Sequence, residues 1–131
     1  MREIKFRAYI KKLKWLVPVE RINFDCKTIE VDLSEGNGDI SEYDFDEVEL
    51  MQYTGLKDKN NKLIYEGDII KYFNSEENGI FEVKYDCCRF YGLWIEASFP
   101  DLFTDLFYLG SSKELQIIGN IYENPELLKE N

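Results

Sequence analysis

Apolar and polar positions alternate with a period of two along most of this chain, the mark of half-buried β-strands. In the first such segment Ile4, Phe6 and Ala8 share one face, with Lys5 and Arg7 on the other. Lys11 and Lys12 make a natural turn, and residues 15–24 resume an extended pattern in which Pro18 signals an edge position or an irregularity. Residues 27–33 alternate again and predict a hairpin partner nearby. Residues 34–45 break the alternation with Gly36, Gly38 and many acids, which predicts a loop. Strand character returns over residues 45–53. A polar turn follows at 57–62, where Asn60 and Asn61 suit a positive-φ position. A tight corner at Glu66, Gly67 and Asp68 then leads into the β-formers of residues 69–73. Beyond a loop at 74–79, residues 81–85 alternate strictly. Residues 89–97 form a further strand, with Gly92 marking a bulge or a close approach.

The period changes once. Phe99, Leu102, Phe103, Leu106 and Phe107 fall at helical spacing, with Ser98 and Asp101 as a capping pair and Gly110 as a stop, which predicts a short helix. A strand over residues 106–109 is the competing reading. Residues 115–122 are the last strand. Asn124 followed by Pro125 then reads as an N-cap and first helical residue, opening a short C-terminal helix packed through Leu127 and Leu128. The expectation is a mainly β chain with short helices near the C-terminus. Residues 1–49 form an N-terminal β extension with an acidic loop, and residues 50–131 form the principal domain.

Composition agrees with a single small β-rich protein. The chain has 131 residues, 44% hydrophobic and 15% aromatic. At this length it can bury roughly two thirds of its unfolded surface without a metal or disulfide. The net charge of −10 opposes binding to a phosphate backbone. That charge is segregated: the first 14 residues carry six bases and one acid, and residues 30–49 carry nine acids and no base. The acidic stretch reads either as a solvated loop or as a docking segment for a basic partner. Calcium-loop frames beginning at Asp32 or Asp39 place the wrong residues at the sixth and twelfth positions.

Cys87 and Cys88 are adjacent, which is poor geometry for a bridge between them, and Cys26 stands apart, so the expectation is free thiols in a reducing cytoplasm. No leader-like apolar segment opens the sequence and no apolar run approaches a membrane span. There is no histidine, the commonest general base. No nucleophile elbow, P-loop or dinucleotide glycine pattern occurs either. The expectation is therefore a protein that is not an enzyme and has no cofactor and no metal. Asp68, beside Gly67, reads either as an exposed carboxylate awaiting a partner or as a residue that holds its own turn.

Three blocks carry a resemblance. Residues 52–60, QYTGLKDKN, followed by YEGDI at 65–69, resemble the signature of the YopX-like family, small proteins encoded by bacteriophages and prophages. The opening MREIKFRA and the ending IIGNIYENPELL resemble the family's start and finish. Asn61 stands where glycine is usual in such a turn, and residues 26–47 match nothing in the pattern. The resemblance implies a phage origin and an SH3-like barrel, and no established biochemical activity. It marks Tyr53, Gly55, Tyr65, Gly67, Asp68, Gly119, Asn124 and Pro125 as structural signature positions. With the charge split, these readings give a non-enzymatic accessory protein acting through protein contacts, either with itself or with a host or phage protein. The interface candidates are Lys5, Arg7, Tyr9, Lys12, Trp15 and Tyr43. The alternative function is weak nucleic-acid binding by the basic first strand.

Overall fold

The computed structural model describes residues 3–34, 36–99, 102–106 and 112–128, and all structural statements concern those residues. The chain is mainly β and divides into two compact units, residues 1–53 and 54–131.

In the first unit, β1 (Phe6–Ile10), β2 (Trp15–Asn23), β3 (Thr28–Asp32), β4 (Ile40–Asp44) and the start of β5 (Val48–Lys57) form an antiparallel sheet in the order β4-β3-β2-β1-β5. The alternation seen in the sequence decides which face is buried. Ala8, Ile10, Ile29, Val31 and Val48 form the core, and Val17, Val19, Tyr43 and Leu50 pack against it. Pro18 lies opposite Arg7, and the register between β2 and β3 shifts between Val19 and Arg21. The irregularity predicted at the proline is therefore a bulge beside it, within a strand paired on both sides.

Residues 34–45 were expected to be a loop, yet Ile40–Asp44 is a paired strand at the sheet edge. Its acids mask the strand pattern. An edge strand tolerates charge, which discourages further pairing there. Tyr43 lies opposite Ile29 and packs on the core, enough to hold the strand in register. A single 3-10 turn, Phe45–Glu47, then leads into β5.

In the second unit, β6 (Leu63–Tyr65) lies beside the end of β5. β7 (Asp68–Phe73), β8 (Asn78–Asp86), β9 (Arg89–Ala97), β10 (Phe103–Asp105) and β11 (Leu115–Asn120) form an antiparallel sheet in the order β10-β9-β8-β7-β11. Three consecutive hairpins make the meander, and the last strand returns beside β7. This order is open, with β10 and β11 at its edges, and no closed barrel is found among the described residues. Ile64, Ile70, Tyr72, Phe81, Val83, Phe90, Leu106 and Leu115 make the core. Phe81 lies at its centre, completely buried and edge-on to Trp94 at 5.1 Å between ring centroids. Burying a side chain of this kind stabilises by roughly 1.5–3 kcal/mol.

One helix expectation is corrected. Within the stretch expected to be a helix from residue 99 onward, Phe103–Asp105 is a strand paired with Tyr91, Gly92 and Leu93 of β9. Short apolar runs fit either period, and here the free edge of β9 decided the outcome. The proposed cap Asp101, the stop Gly110 and most of the competing strand at 106–109 lie outside the described residues. At the C-terminus, where a short helix is expected after Asn124, the described element is one 3-10 turn, Pro125–Leu128.

Candidate functional site

Most of the signature and the C-terminal block lie together in the second unit, where they build a knot of backbone hydrogen bonds, while the opening block lies in the first. Asp58 is its centre and is only 2% exposed. Its Oδ1 accepts the N–H groups of Asn60 and Lys62, both at 2.9 Å, and its Oδ2 accepts the N–H of Ile117 at 3.1 Å. The N–H of Lys59 donates to the Leu115 carbonyl at 2.8 Å. The polar turn is thereby sewn to the last strand. Burial pushes the Asp58 carboxyl pKa up, but the N–H donors of Ile117, Lys62 and Asn60, with the Lys62 charge, outweigh it and hold the group below its ordinary value. Asn61 supplies the left-handed residue of the turn, with φ 66°.

A second corner completes the knot. Gly67 has φ 88°, its N–H donates to the Val83 carbonyl, and its own carbonyl accepts the N–H of Ile121. Asp68 is buried, and its Oδ2 accepts the N–H of Tyr65 at 2.8 Å. Its carboxylate thus takes part in holding the corner and is not exposed to solvent. We expect Gly67→Val to destabilise the protein by at least roughly 1 kcal/mol, because an L-residue is unfavourable in the left-handed region. An unchanged denaturation midpoint would show that this corner is not strained by a side chain.

The ending is equally structural. The Asn120 Oδ1 accepts the N–H groups of Tyr122 and Glu123, and the Asn124 Oδ1 reaches back to the N–H of Asn120 at 3.2 Å. Asn124 was expected to cap the helix ahead of it; its side chain closes the turn behind it instead. A Cβ on Gly119 would lie 2.6 Å from that Oδ1, so the glycine leaves the space Asn124 occupies. Pro125 then opens the 3-10 turn. Gly55 has φ 92°, Tyr65 is half-buried, and Tyr53, the last residue of the first unit, is buried. Burial, with the Glu3 charge, raises the Tyr53 phenol pKa against the opposing pull of Lys5.

The interface candidates of the first unit are not gathered on one surface. Tyr43 packs on the core and Trp15 is 51% exposed at the start of β2. Tyr9 lies one position from the buried Ala8 and Ile10, hence on the opposite face. Lys5 pairs with Glu3 at 3.0 Å. Lys11 pairs with Glu49 at 3.4 Å and donates to the Asp46 carbonyl. Lys12 and Lys14 are exposed and make no ion pair among the described residues. At the other end of β2 a groove of about 530 Å³ is lined by Arg21, Phe24, Asp25, Glu30 and Glu42, among others. Phe24 is 73% exposed there, and Arg21 pairs loosely with Glu30 at 3.7 Å.

A family model described as the YopX protein matches residues 5–129. The chain belongs to the YopX family. The crystal structure of protein EF1440 from Enterococcus faecalis is similar to it, with 33% sequence identity, 98% of this chain and 100% of that one covered, and a TM-score of 0.67. No curated protein matches the chain.

For this YopX-family chain the signature thus holds its own fold, with the Asp58 and Asp68 carboxylates turned onto backbone N–H groups. Sequence reasoning missed Asp58. Its signal was an aspartate two residues before Asn60 and four before Lys62, the spacing of a side chain that organises its own turn. Asp32 acts similarly in the acidic segment. Its Oδ1 accepts the N–H and hydroxyl of Ser34, and its Oδ2 accepts the N–H groups of Gly36 and Gly38. The Ser34 hydroxyl contributes most to holding this carboxyl below its ordinary pKa. No group of three or more potential metal ligands occurs among the described residues, and no helix there is long and apolar enough to cross a membrane.

Proposed function

We propose that this YopX-family protein is a non-enzymatic phage or prophage accessory protein that works through protein contacts in the host cytoplasm, associating with further copies of itself through its first unit. The observation that carries this reading is the placement of unlike charge at the two ends of β2. The β1–β2 turn presents Lys12 and Lys14 beside the half-exposed Trp15. The groove at the far end has three carboxylates, Asp25, Glu30 and Glu42, against one guanidinium, with the exposed Phe24 as an aromatic wall. Nine residues of strand separate the two ends by roughly 30 Å, so they cannot neutralise each other within one unit. The tip of one copy matches the groove of the next, a head-to-tail contact. Surface ion pairs contribute little alone, so burial of Trp15 must supply much of the affinity. The second unit we read as the SH3-like element implied by the family, with the sewn signature as its support.

Light scattering tests the reading. The wild type should exceed monomer mass at low salt and fall towards it as salt rises. Trp15→Ala, Lys12→Glu with Lys14→Glu, and Glu30→Lys with Glu42→Lys should each be monomeric, and mixing the two charge-reversed proteins should restore assembly. A wild type that stays monomeric at high concentration and low salt overturns self-association.

A further inference from the structure

The hairpin between β8 and β9 is closed by Asp86, Cys87, Cys88 and Arg89, with Asp86 and Arg89 paired across it. Both cysteines are exposed free thiols, and both have positive φ, 51° and 64°. Two consecutive left-handed residues make the primed two-residue turn, whose favoured occupants are Asn and Gly. Cysteine carries a Cβ and no side-chain oxygen to offset the cost of that conformation. The tip therefore spends an unfavourable turn on placing two thiols next to each other in solvent.

We propose that Cys87 and Cys88 form a redox modification site, oxidised by peroxide to a vicinal disulfide, with a change of turn at the hairpin tip. In the first step one thiolate attacks a peroxide oxygen. An S–O bond forms, the O–O bond breaks, and the departing hydroxide takes up a proton to leave as water. The neighbouring thiolate then attacks the sulfenic sulfur, so an S–S bond forms, the S–O bond breaks and a second water leaves. The sulfur pair loses two electrons and the peroxide gains them.

The two states exclude each other geometrically. A disulfide needs Cβ atoms about 3.5–4.5 Å apart. Two successive left-handed residues splay their Cβ atoms as successive positions of a helix do, so the ring closes only when the turn is abandoned. Because that turn is itself unfavourable, abandoning it offsets part of the cost of closing the ring. Adjacency in the chain keeps the second thiol at high effective concentration, which favours the internal bond over one between molecules. Below the tip, the Tyr85 and Phe90 rings meet edge-on at 4.9 Å and the strands stay paired down to Gly79 and Ala97, which confines the change. Arg89 is the exception. Its guanidinium lies over the Tyr91 and Phe103 rings, at 5.7 and 5.6 Å, and couples the tip to the outer aromatic face of β9 and β10.

The test uses the full chain carrying Cys26→Ser, reduced and then treated with hydrogen peroxide over a range of protein concentrations. The expected product is lighter by two hydrogens, free of covalent dimer at every concentration and restored by dithiothreitol. Its amide resonances should shift at residues 86–89 and not at 79–83. Adding Cys87→Ser should abolish that product and leave glutathione-reactive or over-oxidised Cys88. Sulfinic acids in place of the disulfide, or covalent dimers that grow with protein concentration, overturn the proposal. Separately, Cys87→Asn with Cys88→Gly should raise the denaturation midpoint above that of the reduced parent. A midpoint at or below the parent's overturns the claim that the reduced turn is the unfavourable state.

Discussion

Replacing Asp58 by alanine is expected to lower stability by roughly 3–4 kcal/mol, because hydrogen bonds to a buried carboxylate are strong and their orphaned donors cost about 1–3 kcal/mol each. Three N–H groups lose their acceptor together, those of Asn60, Lys62 and Ile117. The first two lie in a polar turn and can regain water. The Ile117 N–H belongs to β11 and is less able to, so the sum stays below three full penalties. Asp58→Asn should fall between wild type and alanine, since the amide keeps an acceptor oxygen but turns an NH₂ group onto a donor. The pH dependence follows from the direction of the pKa shift. Folding holds this carboxyl below its ordinary 3.8. Its contribution is therefore complete above 3.8 and is lost as pH falls from there through the folded-state value. Urea midpoints at neutral pH, and their acid limb in wild type and Asp58→Ala, measure both effects. A loss under about 1 kcal/mol would mean that the turn and the last strand are held by other contacts.

Gly92→Ala should cost roughly 2–3 kcal/mol, the upper part of the range of about 1–3 kcal/mol usual for forcing atoms into a packed core. A Cβ there would lie 2.5 Å from Cδ2 and 2.9 Å from Cγ of Phe81. Phe81 is fully buried, with the Trp94 ring against its edge, so it has little room to retreat. The conflict is pairwise and therefore open to a double-mutant cycle. Combined with Phe81→Leu, which narrows the ring site, Gly92→Ala should cost far less than it does alone. Additive losses would show that the glycine serves the backbone and not the approach of the ring. Of the two roles that a glycine in this strand suggested, the geometry gives close approach. The bulge of the β8–β9 pair falls instead at Ile95, the β9 residue skipped between Trp94 opposite Phe81 and Glu96 opposite Ile80, and not at Gly92, which pairs with Val83.

The sequence by itself determined the β-character of the chain, most strand positions and the family. Period-two alternation is a local property, and it survives in the buried faces of β1, β3, β8 and β9. The corner at Gly67 and the turn at Asn61 were legible for the same reason: a left-handed residue leaves a chemical trace at its own position. Tertiary structure decided the rest. The residues of β4 are too acidic to announce a strand, and only Ile29 and Val31 on the neighbouring strand give Tyr43 and Ser41 their places. At residues 103–105 the helical spacing was real but short, and the vacant edge of β9 outweighed it. Asn124 carries the right side chain for a cap, yet its oxygen turned back to Asn120, a choice fixed by the space at Gly119. Asp58 shows the division most plainly. Its two bonds within the turn are set by spacing along the chain, whereas the third joins residues 59 positions apart and exists only once β11 has returned beside β7. Hydrogen bonds within a few residues are encoded locally; those across the fold depend on packing that no single window of sequence contains.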